Sequence, residues 1–302
     1  MTYASGGLIE ASDYNNFVTS VNAIWGTGSS DSGYGQANTL SNVSPAGSIT
    51  ATQWINLIDR IDSMRAHQSG VTSGLTSPIA GDVIAYLSTL SSQLSSINTN
   101  RLSNTGSGFA ADSLGGVKTL SNSSGFITTR TQEFSITFLS HNQMRYFFNT
   151  GGFVSITASN SALTGNTKST DFDALCTAFG TTRIYAQLSE KSGGSGTLST
   201  SNTAYGFYDL DTTDQLIFRQ YSTTGGGGGY NSNYISSFAR VNSVSTPTVI
   251  RLKIVLQDDA ADGTFDDTVS GTVRTDCTAR ASGVAYVANV WGSQTSAVVT
   301  DT

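Results

Sequence analysis

The period of the hydrophobic pattern changes once along this chain, and that change restricts the fold more than any other feature. Up to about residue 102 apolar side chains recur at helical spacing, i, i+3, i+4, i+7. From about residue 130 they alternate with polar ones, the period of a half-buried strand. The pattern predicts an α+β chain: a helical N-terminal part, then an antiparallel β-sandwich or jelly-roll-like domain. Residues 1–102 form the helical region and 130–302 the β-rich domain. A Gly/Ser-rich stretch at 103–129 reads as the linker between them. Its Phe109, Leu114, Val117 and Leu120 suit a segment lying on a surface.

The helical part contains a duplication at an offset of 40 residues. Gly7 aligns with Gly47, Ile9 with Ile49, Ala11 with Ala51 and Ser12 with Thr52. Further on, Tyr14 aligns with Trp54, Asn16 with Asn56, Phe17 with Leu57, Val18 with Ile58 and Val21 with Ile61. Each copy predicts a helix with Ser12 or Thr52 as N-cap and Gly26 or Gly70 as the stop. The two helices pack on each other or dock in equivalent slots of an assembly.

A third helix is expected beyond residue 79. Ala80, Val83, Leu87, Leu90, Leu94 and Ile97 are spaced 3, 4, 3, 4, 3, a short heptad seam flanked by Ser, Thr, Gln and Asn. The seam either packs on the two preceding helices or joins several copies of the chain. At this length it needs neighbouring contacts to be stable.

In the C-terminal half about ten short strands are expected. QEFSITFL alternates through Phe134, Ile136 and Phe138. MRYFFN and FVSITAS follow, joined across Thr150, Gly151 and Gly152 as a hairpin. TRIYAQLS, AYGFYDL, QLIFRQY, NYISSFARV, TVIRLKIVLQD, TVSGTVRTD and GVAYVANVW continue the series. One interruption, STDFDALCTAFG, puts Phe172, Leu175, Cys176 and Phe179 at helical spacing.

Composition narrows the function classes. Of 302 residues only 12% are charged; 15 are basic and 21 acidic, a net charge of −6. There is no basic excess, so nucleic acid is not an expected partner. The apolar runs are too short to span a membrane as a helix. The start of the chain lacks a basic region followed by an apolar core, so no signal peptide is expected. Cys176 and Cys277 make neither a disulfide framework nor a zinc site; they are two small buried hydrophobes or one long-range disulfide.

Candidate chemistry is sparse. His67 and His141 are the only histidines, and no GxSxG stands in a strand–turn–helix setting. Asp171 with Asp173, or Asp209 with Asp211, have the residue types of a glycosidase pair, although each suits a helix start or turn. Five glycines at 225–229, flanked by Tyr221 and Tyr230, lack the lysine of a phosphate loop and read as a surface loop. Tyr221, Tyr230 and Tyr234 are candidate receptor contacts. Asp258, Asp259, Asp262, Asp266 and Asp267 place five carboxylates within ten residues, an acidic hairpin or a weak Ca²⁺ site without the EF-hand spacing. No cofactor is expected.

The residues Ile9–Gly28, Gly33–Gln36 (GYGQ) and Ile49–Gly70, together with MRYFFNTGG at 144–152, YNSNYI at 230–235 and QDD at 257–259, resemble tail and other virion structural proteins of tailed bacteriophages. The likeness touches both halves of the chain, about two-thirds of its length, and brings no catalytic motif. It implies a non-enzymatic component of a tail fibre, baseplate or collar, located in the virion and working as a symmetric homo-oligomer, a trimer favoured, with other virion proteins. Attachment is then expected through Tyr14, Phe17, Val18, Trp54, Leu57 and Ile58, with the seam Val83, Leu87, Leu90, Leu94 and Ile97 joining copies. The alternatives are a host receptor-binding module, a capsid decoration protein or a polysaccharide-degrading tailspike.

Overall fold

The structure, a computed structural model, describes residues 9–79, 87–112, 116–161, 166–223, 230–260 and 268–302. It is an α+β fold with helices mostly in the N-terminal part and two antiparallel sheets of five and six strands. The chain divides into two compact units. The first consists of Met1–Ala110, Arg145–Gly152 and Ala281–Trp291; the second holds Ala111–Met144, Phe153–Arg280 and Gly292–Thr302.

Three helices build the first unit: α1 (Ala11–Trp25), α2 (Ala51–Ser69) and α3 (Leu87–Thr99). The duplication sets their starts, but the caps lie two residues before Ser12 and Thr52. The Thr50 hydroxyl accepts from the Gln53 amide (3.3 Å), and the Gln53 side chain accepts from the Thr50 amide (2.8 Å). In the first copy the Glu10 amide donates to the Asp13 carboxylate (3.1 Å). A reciprocal box needs partners three residues apart, and only Glu10–Asp13 and Thr50–Gln53 supply them at both copies. Ser12 instead donates to the Glu10 carboxylate. Gly70 ends α2 at φ +79°, a left-handed position that glycine adopts without cost.

The apolar stripes of the three helices meet in one core. Tyr14, Phe17, Val18 and Val21 pack with Trp54, Leu57, Ile58 and Ile61, and with Leu90, Leu94 and Ile97 of α3, all buried. Equivalent positions of the duplication touch: the Tyr14 and Trp54 rings stand edge to face with centroids 5.6 Å apart. The connection after α1 has no periodicity, and two side chains seven residues apart fix it. Asn15 donates to the Val43 carbonyl and accepts its amide (2.9 and 2.7 Å); Asn22 does the same with Leu40 (2.8 and 2.9 Å). Each asparagine thus satisfies an extended residue as a neighbouring strand would.

The second unit is a two-sheet sandwich. One sheet runs β1 (Lys118–Asn122), β10 (Thr272–Arg280), β3 (Phe153–Ser161), β4 (Thr181–Ile184), β5 (Ser189–Ser192). The other runs β11 (Thr295–Asp301), β2 (Thr129–Thr137), β9 (Val249–Gln257), β8 (Tyr234–Val241), β7 (Gln215–Tyr221), β6 (Thr200–Ser201). Strand alternation puts Phe134, Ile136, Ile250, Leu252, Ile254 and Leu256 inside, with Val154, Ile156, Val273 and Cys277 of the other sheet. Polar tethers cross the interior: Thr275 bonds Gln132, and the Thr182 hydroxyl bonds Ser237 (2.7 Å). Asp301 accepts from Arg130, from Gln132 (3.1 Å) and from Asn122 (2.8 Å), so one carboxylate ties the edges of both sheets.

Several expected strands differ. MRYFFN lies in a helix, α4 (His141–Asn149), because Met144, Phe147 and Phe148 bury at helical spacing and the Ser140 hydroxyl accepts the Gln143 amide (3.2 Å). Thr150, Gly151 and Gly152 end that helix instead of turning a hairpin: the Gly151 and Gly152 amides each return to Phe148 and Phe147 at 3.0 Å. AYGFYDL is a short 3₁₀ turn at Phe207–Asp209. GVAYVANVW forms no strand; it belongs to the first unit, where Val287 and Trp291 are buried. The stretch 103–129 is not all linker, since β1 forms an edge strand paired with β10 over five residues. The expected helix at 169–180 is α5 (Thr167–Phe179), packed on β3 through Phe172, Leu175, Cys176 and Phe179.

Candidate functional site

The residues expected to anchor the chain are core residues. Tyr14, Phe17, Val18, Trp54, Leu57 and Ile58 are at most 3% exposed, so no partner reaches them. The oligomer seam is corrected for the same reason: Leu90, Leu94 and Ile97 are buried against α1 and α2, and Leu87 is half-buried at the start of α3. Val83 and Ala80 lie outside the described residues.

Segments GYGQ, HQSG and RYFFNTGG, which carry the resemblance, converge within the first unit. Arg145 donates to the carbonyls of Ser30 (3.0 Å), Ser32 (2.9 Å) and Thr27 (3.4 Å). Asn149 donates to the Gly33 carbonyl (3.0 Å). Gly35, at φ +72°, lies so close to the Tyr146 ring that a Cβ would come within 2.5 Å of it. Gln36 donates to the Ala288 carbonyl (3.0 Å), accepts the Ala288 amide (2.9 Å) and donates to the Tyr34 carbonyl (3.1 Å). Gln68 donates to the Tyr34 hydroxyl (2.8 Å) and the Ile97 carbonyl (3.1 Å), and Tyr34 donates to the Arg101 carbonyl (2.7 Å). Burial pushes the Tyr34 phenol well above its usual range.

One pair here has the spacing of a nucleophile and base. His67 Nδ1 lies 2.9 Å from Ser107 Oγ, and its Nε2 lies 3.0 Å from the Thr150 carbonyl. The carbonyl requires a donor, which fixes the neutral ring as Nε2–H with Nδ1 accepting. Burial holds the imidazole down at about 4, against the opposing pull of the Thr150 carbonyl. His67 is 0% exposed, so the ring links α2 to the segments at 107 and 150 and meets no substrate.

In the second unit the carboxylate pairs do not converge. Asp171 accepts from Ser222 on one side of α5, while Asp173 stands two residues on and therefore on another side. The Asp209 carboxylate accepts the Gly206 amide (3.0 Å), and Asp211 accepts the amide and hydroxyl of Thr213, which hold its carboxyl below the usual range. Of the acidic loop, Asp258 forms a fully buried ion pair with Lys168 (2.8 Å), and the Asp259 amide donates to Asn233. Asp262, Asp266, Asp267 and the glycines at 225–229 lie outside the described residues. Among the described residues no group of three or more His, Cys, Asp or Glu is placed to hold a metal ion. Cys176 and Cys277 are free and buried, and burial raises the Cys176 thiol to about 12.

The candidate receptor tyrosines separate. Tyr230 is 2% exposed and structural. Tyr221 and Tyr234 sit opposite each other on β7 and β8, rings 5.3 Å apart, on the outer face of the six-stranded sheet. Tyr221 is 39% exposed. The Arg219 guanidinium lies 4.4 Å over the Tyr234 ring, and its Nε donates to Ser236 (2.9 Å). Down the same face Arg240 pairs with Glu133 and Asp214, Arg251 with Glu133, and Lys253 with Asp214. Arg219 is absent from sequence-level expectation. Its signal is the i, i+2 spacing to Tyr221 in QLIFRQY; its stacking on Tyr234 depends on strand register, which the sequence does not display.

No protein-family model, curated protein or solved structure matches this chain.

Proposed function

We propose that this chain is a non-enzymatic structural component of a phage tail, in the fibre, baseplate or collar. The observation that supports this reading is the convergence of GYGQ, HQSG and RYFFNTGG on one hydrogen-bonded framework. Three of the segments behind the resemblance to virion proteins thus form one packed framework, whereas YNSNYI and QDD belong to the second unit, and the polar groups of the three hold backbone to backbone. Such a framework suits a static building block. Because the helix faces around Tyr14 and Trp54 are internal, attachment to the particle uses another surface, and so does any homo-oligomer contact.

The test is immunogold labelling of particles of the phage that encodes the chain, with antibody to the purified protein. Tails or fibres should be labelled. Labelled heads would make it a capsid decoration protein, and unlabelled particles would refute a virion role. A second reading, a host receptor-binding module, is favoured by the cluster of exposed Tyr221 with half-buried Tyr234 and Arg219. It predicts that soluble protein competes with particles for adsorption to the host.

A further inference from the structure

The six-stranded sheet presents four cations on its outer face, Arg219, Arg240, Arg251 and Lys253. Three are paired with Glu133 or Asp214; Arg219 has no carboxylate partner among the described residues. Yet Arg219 is held in place. Ser236 fixes its Nε, and the Tyr234 ring lies under its guanidinium, which leaves the terminal nitrogens of the fork for an acceptor from outside. A guanidinium fork matches a carboxylate with two parallel hydrogen bonds. Stacking also reduces the entropy lost when it binds.

The neighbouring group defines the rest of the ligand. Tyr221 is two residues along β7, roughly 7 Å away on the same face, and is 39% exposed. An exposed ring offers a flat, weakly negative surface to C–H groups, with little side-chain freedom to lose. A carboxylate at Arg219 and a C–H-rich ring at Tyr221 describe one pyranose unit bearing an acid group. Gln257, opposite Tyr234 on β9, is already engaged: its amide donates to the Thr128 carbonyl (3.0 Å) and to Asp259 (2.9 Å) and accepts from the Thr129 hydroxyl (2.8 Å), so Arg219 and Tyr221 carry the site. The charge arrangement agrees: in a chain of net charge −6, this face carries more cations than carboxylates.

We propose that the outer face of β7–β8 binds an acidic glycan, with Arg219 holding the sugar carboxylate and Tyr221 the sugar ring. This deepens the receptor-binding reading and rests on it. It does not depend on where in the particle the chain sits.

The full-length protein is titrated calorimetrically with alginate oligosaccharides, hyaluronate oligosaccharides and polysialic acid, with carboxyl-reduced alginate and dextran as neutral controls. At least one acidic glycan should bind, and the carboxyl-reduced polymer should bind about tenfold more weakly or not at all. Arg219→Gln should weaken binding about tenfold or more, and Tyr221→Ala severalfold, with melting temperatures checked to show that both variants fold. Absence of binding to all three acidic glycans, equal binding of the reduced polymer, or unchanged affinity of Arg219→Gln would overturn the proposal. Failure here with retained competition for adsorption leaves the receptor reading standing with a different ligand; loss of both removes that reading as well.

Discussion

Gln36 joins two parts of the chain separated by 252 residues, and replacing it tests whether the first unit depends on that junction. The side chain is 6% exposed and makes three hydrogen bonds, two to the Ala288 backbone and one to the Tyr34 carbonyl. A typical intramolecular hydrogen bond contributes about 1 kcal/mol net. Ala288 itself is exposed, so water replaces part of what is lost. Gln36→Ala should therefore cost about 2–3 kcal/mol in urea unfolding. Gln36→Glu should cost more at neutral pH. Its carboxylate still accepts the Ala288 amide, but its second oxygen faces two carbonyls that cannot donate. Protonating the glutamate in acid restores a donor and should narrow the gap between the two variants. Hydrogen exchange at Ala288 should accelerate in Gln36→Ala, which removes the acceptor of that amide. Unchanged exchange there, or a Gln36→Glu protein as stable as wild type at neutral pH, would refute the reasoning.

Two further perturbations follow from buried ionisable groups. The His67 ring is held near 4 in the folded chain against about 6.5 when unfolded, so between these values the unfolded state binds more protons. Stability should fall by roughly 3 kcal/mol as pH drops from above 6.5 to 4; His67→Gln should remove that slope, and an identical urea midpoint profile in both proteins would count against it. Lys168→Met strands the Asp258 carboxylate in the interior and should cost about 3–5 kcal/mol, while Lys168→Met with Asp258→Leu should recover most of the loss; a double variant no more stable than the single one in thermal melts would rule this account out.

The helices α1, α2, α3 and α5 and the two-layer β architecture were legible because each rests on local period. The matching positions of the two helical segments are legible too, but the sequence leaves open whether the helices meet each other or a partner; the Tyr14–Trp54 contact is a finding of the structure. The adjacent phenylalanines of MRYFFN suit either period; the Ser140–Gln143 spacing, a helix-start signature, is the signal that separates them. The anchoring and seam residues are not separable from a binding surface by sequence, because amphipathicity says that a face is covered and not by what. Here α1, α2 and α3 cover one another. Arg219 and the Tyr221–Tyr234 pair depend on the β7–β8 register, and the Gln36–Ala288 junction on a long-range closure. Neither leaves a mark in a single sequence.

The contact between Tyr14 and Trp54 joins the same position of two copies of one motif. Like-to-like contact is what a two-fold homodimer makes. Here both halves belong to one polypeptide, so the pairing is intramolecular, and the connection that Asn15 and Asn22 pin keeps the two helices within reach of each other. An arrangement that two separate chains would lose on dilution is in this protein independent of how few copies are present.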